Sequence, residues 1–477
     1  MKLRLEKLFD FIKKIAVIAV PVALQNLLMT TESIIDTMML APMGEKTIAS
    51  VGLCASFAGL MFSCYWGFAC GGTLFFSQHW GAGDEKAIKK NFGVTLSFMM
   101  IVGILFSALA FFSPATVMRL YTDKDSLHGV GIIYLRIVAP AYLMQVYSAC
   151  MCSLLRATEK VKIPLYSGAI TSFVNVGLNY VLIYGKLGFK QMGVIGAAYA
   201  TLIASAVNVL LIWILAKASG YKLLFDIRNH FMWNNDTVVE YLKKCLPIIC
   251  NEAFMGIANM IIAVVLGRQE EQVIAALVVF RIIESCIVAF FTGFSNAASV
   301  LVGKCVGAGD FDTAKYRARR LVPLCAGTIA VVELVIYLVH TPIFHAMGLY
   351  GESFEICTVM IIVYSIAAVI RMSNWIQNDT FRSAGDARYG TILEITFMYL
   401  FVLPLVGITG LVIKDSFVLL FVACYIDEPI RFVLMQIHMY SNKWINPVTE
   451  IGKAALVKRT KMCEEIEYEN IACSNVC

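Results

Sequence analysis

The residues of this chain best suited to chemistry are acids set in long apolar runs. Asp36 stands near the end of the run from Ile15 to Leu40, and Glu32 lies one helical turn before it on the same face. Glu252 stands in a second run, five residues after Pro247 and next to Asn251. Ionisable groups at bilayer depth are costly and are functional candidates by default. Burial favours the neutral form of a carboxylic acid, and a nearby cation favours the charged form. An acid in that setting exchanges a proton for a metal ion or an organic cation. The plainer alternatives are an interfacial Asp beside a loop and a buried Glu satisfied by its neighbours. Arg281 and Glu284, three residues apart, suit a structural pair. Glu333, Glu394 and Arg371 have no evident partner in the sequence. Asp427, Glu428 and Arg431 read as interface charges near the end of the last apolar run.

Other chemistries lack their residues. The six histidines (His79, His128, His230, His340, His345, His438) fall at or beyond the ends of apolar runs, so no buried metal or acid–base cluster suggests an enzyme. Most of the fifteen cysteines sit singly among apolar residues, without disulfide or zinc spacing. Gly81 is not followed by the Lys-Ser/Thr of a phosphate-binding loop, which disfavours an ATP-driven pump. The net charge of +6 comes with no long basic run, which argues against nucleic acid.

What must position the acids is a bundle of membrane helices. The chain has 477 residues, 59% hydrophobic and 15% charged, with a mean hydropathy of +0.75. A soluble chain carries roughly 25% charged residues, so lipid is the solvent for much of this surface. A spanning helix needs about 20 apolar residues. Twelve segments qualify: 15–40, 47–76, 92–113, 129–155, 161–184, 192–216, 240–267, 272–302, 321–340, 354–381, 389–413 and 416–440. The first is too long for a signal-peptide core and is expected to stay uncleaved. Residues 1–14 alternate Leu3, Leu5, Leu8, Phe9 and Ile12 with charges and are expected along the membrane interface. The polar stretch 217–239 is the expected linker between lobes at 15–216 and 240–440. A tail at 441–477 is expected to be disordered at its end. With the N-terminus inside the cytoplasm, 28 of the 39 Lys and Arg fall on that side, 7 opposite and 4 within spans. The positive-inside rule then puts both termini in the cytoplasm of a multi-pass protein of the cell membrane.

The two halves repeat. Shifted by 226 residues, Pro21 falls on Pro247, Ile48-Ala49 on Ile274-Ala275, Gly81-Ala82-Gly83-Asp84 on Gly307-Ala308-Gly309-Asp310, and Arg156 on Arg382. Six spans per repeat is an even number, so the halves are parallel repeats and a substrate path is expected between them. In the Gly-Ala-Gly-Asp motif, Gly suits a helix C-cap and Asp84 or Asp310 an N-cap. Arg156 and Arg382 are expected to play equivalent, mainly structural parts at helix ends.

Several motifs together resemble the multidrug and toxic compound extrusion (MATE) family. Ile34-Ile35-Asp36-Thr37-Met38 looks like the Asp-Thr of its first helix. Gln78-His79-Trp80-Gly81-Ala82-Gly83-Asp84 looks like its Q-x-x-G-A-G-D loop. Leu155-Arg156-Ala157-Thr158-Glu159-Lys160 looks like L-R-A-x-G-K, with Glu159 where the family has Gly. Gly193 to Thr201 resembles G-x-x-G-A-A-x-A-T, and Phe381 to Asp386, Asp427-Glu428 and Ser441 to Trp444 match late segments. The resemblance spans about residues 15–446.

It implies an all-helical membrane fold of two six-helix repeats around a central cleft, and export of organic, often cationic compounds in exchange for H+ or Na+. No other cofactor is expected, the partners are small organic molecules and the lipid bilayer, and the chain is expected to be a monomer. The family's first cation site corresponds here to Asp36, Asn175, Asn179 and Thr201, with Asn179 where many members carry Asp. Glu252 resembles the second-lobe acid of another branch, which pairs it with an Asp on the tenth helix; this chain offers Ser373, Asn374, Gln377 and, further along, Asp379. Gln25, Glu32, Asn251, Asn374 and Gln377 are the expected substrate contacts. The same fold also serves flippases and exporters of lipid-linked or other metabolites, but their cleft would be basic and these spans carry few basic residues.

Overall fold

Twelve long helices, with no strand among the described residues, build the protein in the computed structural model, which describes residues 2–413 and 417–461. They are α1 (Lys2–Leu40), α2 (Glu45–Ala82), α3 (Glu85–Phe112), α4 (Asp125–Ala157), α5 (Lys162–Tyr184), α6 (Val194–Ala218), α7 (Asn235–Leu266), α8 (Glu271–Gly307), α9 (Phe311–Ala346), α10 (Glu352–Ser383), α11 (Ala387–Ile413) and α12, which runs in two pieces, Phe417–Ala423 and Glu428–Ser441. Ten are long and apolar enough to cross a bilayer. The other two are α5, which carries Ser172, Asn175 and Asn179, and the broken α12. Residues 2–14 are not a separate element but the first turns of α1. At about 1.5 Å per residue α1 outreaches the roughly 30 Å hydrocarbon core. The disorder expected at the end of the tail falls on residues 462–477, outside the described ones.

The repeat is visible in the joints. After α2 and α8 the chain turns through Gly83 (φ 72) and Gly309 (φ 76). Asp84 and Asp310 then accept the Ala87 and Thr313 amides at 3.0 and 3.1 Å and start α3 and α9. Each half has its own apolar core. Tyr142, Leu155, Phe76 and Phe92 are central to the first, and Phe280, Tyr364, Phe381 and Phe421 to the second. Helix α1 bridges the halves: Phe11, Ile15 and Ile18 near its start join the second core, while Leu40 at its end packs with Ile183 and Ala197 of the first half.

The contacts between the lobes gather toward one end. Among the described residues their hydrogen bonds, ion pair and close glycine approaches use α1 near Ala19, α2 from Gly67 to Gly81, Glu159 after α4, α7 from Tyr241 to Ile249 and α8 from Gly293 to Gly307. These stretches lie in the half of each helix nearer the end where α1 begins and α12 ends, the joined or closed face. The chain after α12 crosses the closed face. Asn446 donates its amide to Ala384 O at 2.8 Å, Val448 donates to Gln78 Oε1 at 2.8 Å, and the Thr449 hydroxyl donates to Gly307 O at 2.7 Å. A helix follows at 450–461.

Candidate coupling and substrate site

In the first lobe two helix faces interlock through polar rungs. Glu32 and Asp36, four residues apart on α1, project toward Ser172, Asn175 and Asn179, which share one face of α5. Ser172 donates its hydroxyl to Glu32 Oε2. Asn179 Nδ2 donates to Asp36 Oδ1 at 2.7 Å and to Asn175 Oδ1 at 2.9 Å. Asn175 and Asn179 are buried while both acids are half-exposed, so the rigid side of the pair is the amide and the accessible side is the carboxylate. Asn179 Oδ1 is buried with no hydrogen-bond partner, which leaves an acceptor beside Asp36 for an incoming donor or cation. Thr201 on α6 donates to Ala197 O at 3.1 Å in its own helix; it lines the neighbourhood and makes no direct contact with Asp36. Gln25, buried two turns before Glu32, accepts from Arg156 Nη2 at 3.1 Å.

The second lobe builds a different cluster. Arg382 Nη1 lies 3.2 Å from Glu252 Oε1 and 3.6 Å from Asp379 Oδ1, and Ser295 on α8 donates its hydroxyl to Asp379. Asp379 and Glu394 both share Glu252's neighbourhood, and Arg382 stands between Glu252 and Asp379. Asn251, Asn374 and Gln377 are not part of this group. Asn251 is buried and donates to Glu394 Oε2 at 2.9 Å. Asn374 donates to Glu428 Oε2 at 2.7 Å and to its main-chain oxygen at 3.0 Å. Gln377 donates to Ser373 O at 3.3 Å. All three are buried and hydrogen-bonded inside the second lobe. The described residues contain no group of three or more His, Cys, Asp or Glu placed to hold a metal ion.

The MatE family pattern matches residues 21–181 and again residues 247–407, two stretches separated by the same 226 residues as the sequence repeat. The chain belongs to the MatE family. The protein is 22% identical over 413 residues to the "Uncharacterized transporter YisQ" of Bacillus subtilis (strain 168), covering 86% of this chain and 90% of that one. It is 20% identical over 440 residues to the "Probable multidrug resistance protein NorM" of Thermotoga maritima, covering 92% and 94%. Among solved structures it resembles an outward-facing conformation of a multidrug resistance MATE family transporter with a TM-score of 0.78, at 18% identity over 90% of this chain and 96% of the other. That likeness is one of fold. The family is one of transporters, so this MatE chain is a multi-pass membrane transporter.

Two readings of charge in the MatE chain change with the structure. Asp427, Glu428 and Arg431 are not interface charges, for all three are buried. They sit where α12 breaks at 424–427, and Arg431 reaches Asp427 at 3.1 Å and Glu428 at 3.2 Å. Arg371 does have a partner. It reaches Glu284 at 2.9 Å, Glu284 also takes Arg281 at 2.6 Å, and Arg371 lies over the Trp375 and Tyr425 rings. Glu394 likewise is held by Asn251 and Asn378. Buried charges survive only when paired and hydrogen-bonded, and here some partners lie on the same helix while Arg371–Glu284 and Asn251–Glu394 join helices far apart in sequence.

Proposed function

We propose that this protein exports organic, amphipathic and often cationic compounds across the cell membrane in antiport with protons, the two lobes alternating access to the central cleft. The observation that carries the reading is the Asp36 rung. A half-exposed carboxylate on α1 is steadied by a buried amide of α5 that turns its N–H toward it. Sodium prefers several oxygen ligands at short range, whereas a proton needs one basic group. Asn179 stands where many family members carry Asp, so the site has one carboxylate fewer, which favours H+ over Na+. Glu252, Asp379 and Arg382 form the second polar wall, where two acids outnumber one base. That balance suits a cationic guest and disfavours polyanionic lipid-linked substrates.

Dye efflux from everted vesicles, with proton and sodium gradients imposed separately, tests the reading. A pH gradient alone should drive transport. Transport driven only by sodium would overturn the proton assignment, and none under either gradient would overturn antiport.

The basic residues set the orientation, with the closed face toward the cytoplasm. Reporter fusions at Ala41, Tyr221 and Asn446 should read outside, inside and inside. Any other pattern would refute the topology.

A further inference from the structure

Position 159 breaks the two-fold repeat on the closed face. Under the 226-residue shift Glu159 corresponds to Gly385 and Lys304 to Gln78. Gln78 and Lys304 each reach across the seam to the turn that follows the other lobe's α10 or α4. Gln78 Nε2 donates to Ser383 O at 2.8 Å. Lys304 Nζ donates to both Glu159 oxygens, at 2.9 and 2.7 Å. Both turns need a positive φ, 95° at Gly385 and 62° at Glu159. Glycine accepts that conformation freely, while a residue with a Cβ does so at a cost. An unfavourable backbone held by its surroundings is an observation from which function is inferred. Here the side chain that the strain permits reaches the opposite lobe, and the Trp80 indole N–H steadies it at 3.4 Å.

We infer that Glu159 and Lys304 form a latch that holds the lobes together on the closed face and parts in each transport cycle. The location supports this, because a Cβ on Gly81 would lie 1.9 Å from Lys304 O, so the pair sits where the lobes approach most closely. So does the solvation. The two side chains are 33% and 37% exposed and line a cavity of about 660 Å³ together with Asp10, Lys14, Asp310 and Arg317. A wet ion pair is weak enough to open and close repeatedly, whereas a dry one would lock the lobes.

The inference rests on the two-lobe exporter reading, and its test needs neither substrate nor gradient, so the two can fail separately. Hydrogen–deuterium exchange of the full chain in lipid nanodiscs reads the seam directly. Glu159→Gly suits the backbone and should fold as well as the parent, Glu159→Gln removes only the charge, and Lys304→Met removes the other partner. In all three, peptides covering 77–84 and 301–310 should exchange about two- to fivefold faster, the range expected of an exposed pair. The exchanged pair Glu159→Lys with Lys304→Glu should restore slow exchange. Unchanged seam exchange in the single variants, or faster exchange throughout the lobe cores, would overturn the latch, as would failure of the exchanged pair to restore it.

Discussion

Replacing Asp36 by asparagine should reduce gradient-driven efflux to the level of empty vesicles while the protein remains folded and inserted. Asparagine has nearly the same shape, and its side-chain oxygen can still accept from Asn179 Nδ2, which donates to Asp36 at 2.7 Å in the parent. Only titration is lost, because an amide neither binds nor releases a proton near neutral pH. Stability should therefore change by no more than about 1 kcal/mol, the scale of one altered hydrogen bond. Asn179→Ala should act in the same direction but incompletely. A hydrogen bond to a charged group contributes about 1.5–3 kcal/mol, so its loss should slow proton-driven efflux by roughly ten- to a hundredfold at constant expression. Glu252→Gln should retain part of the transport with an altered substrate preference, because Arg382 keeps Asp379 at 3.6 Å. Normal transport by Asp36→Asn together with a dead Glu252→Gln would move the coupling site to the second lobe.

The fold was legible because its signals are periodic and local. Apolar runs long enough to span, basic residues on alternate connections and a 226-residue self-match leave little room for another architecture. The turn chemistry was equally plain, since Gly83 and Asp84 act within a few residues of themselves. The first-lobe site was legible in part, because Glu32 and Asp36 share a face by spacing alone. Their α5 partners follow only from a likeness to other proteins, and the pairing of Ser172 with Glu32 carried no signal at all. In the second lobe the sequence offered Ser373, Asn374, Gln377 and, further along, Asp379 as company for Glu252, and gave Arg382 a mainly structural part. Asp379 and Arg382 are three apart and face Glu252, while Asn374 faces the break in α12. A register difference of one or two residues on a helix decides between cleft and core, and a single sequence does not supply it. The break in α12 was hidden for the same reason. Its charges look like the end of a span until Arg431 of α12 and Arg371 and Asn374 of α10 are seen to close on them.

A single methyl group at Gly307 should do more to the transport cycle than most changes in the cleft. The two first glycines of the repeated motif pack reciprocally. A Cβ on Gly81 would lie 1.9 Å from Lys304 O, and a Cβ on Gly307 would lie 1.9 Å from Gln78 O. In both cases the obstacle is main chain, which has no rotamer to yield. Overpacking of this kind costs about 1–3 kcal/mol, and it is paid only while the seam is shut. The same methyl is harmless once the lobes have separated there, so Gly307→Ala should shift the population toward seam-open molecules by roughly ten- to a hundredfold. Each lobe keeps its own core, and the melting temperature should fall only slightly. Steady-state efflux should drop about tenfold or more, because a cycle that cannot return to the closed seam delivers its cargo rarely. Pulsed hydrogen exchange at residues 77–84 and 301–310 should show the opening directly. Slow exchange and full transport in Gly307→Ala would mean that the helices slide past the added methyl, and that the close approach of α2 and α8 does not govern the cycle.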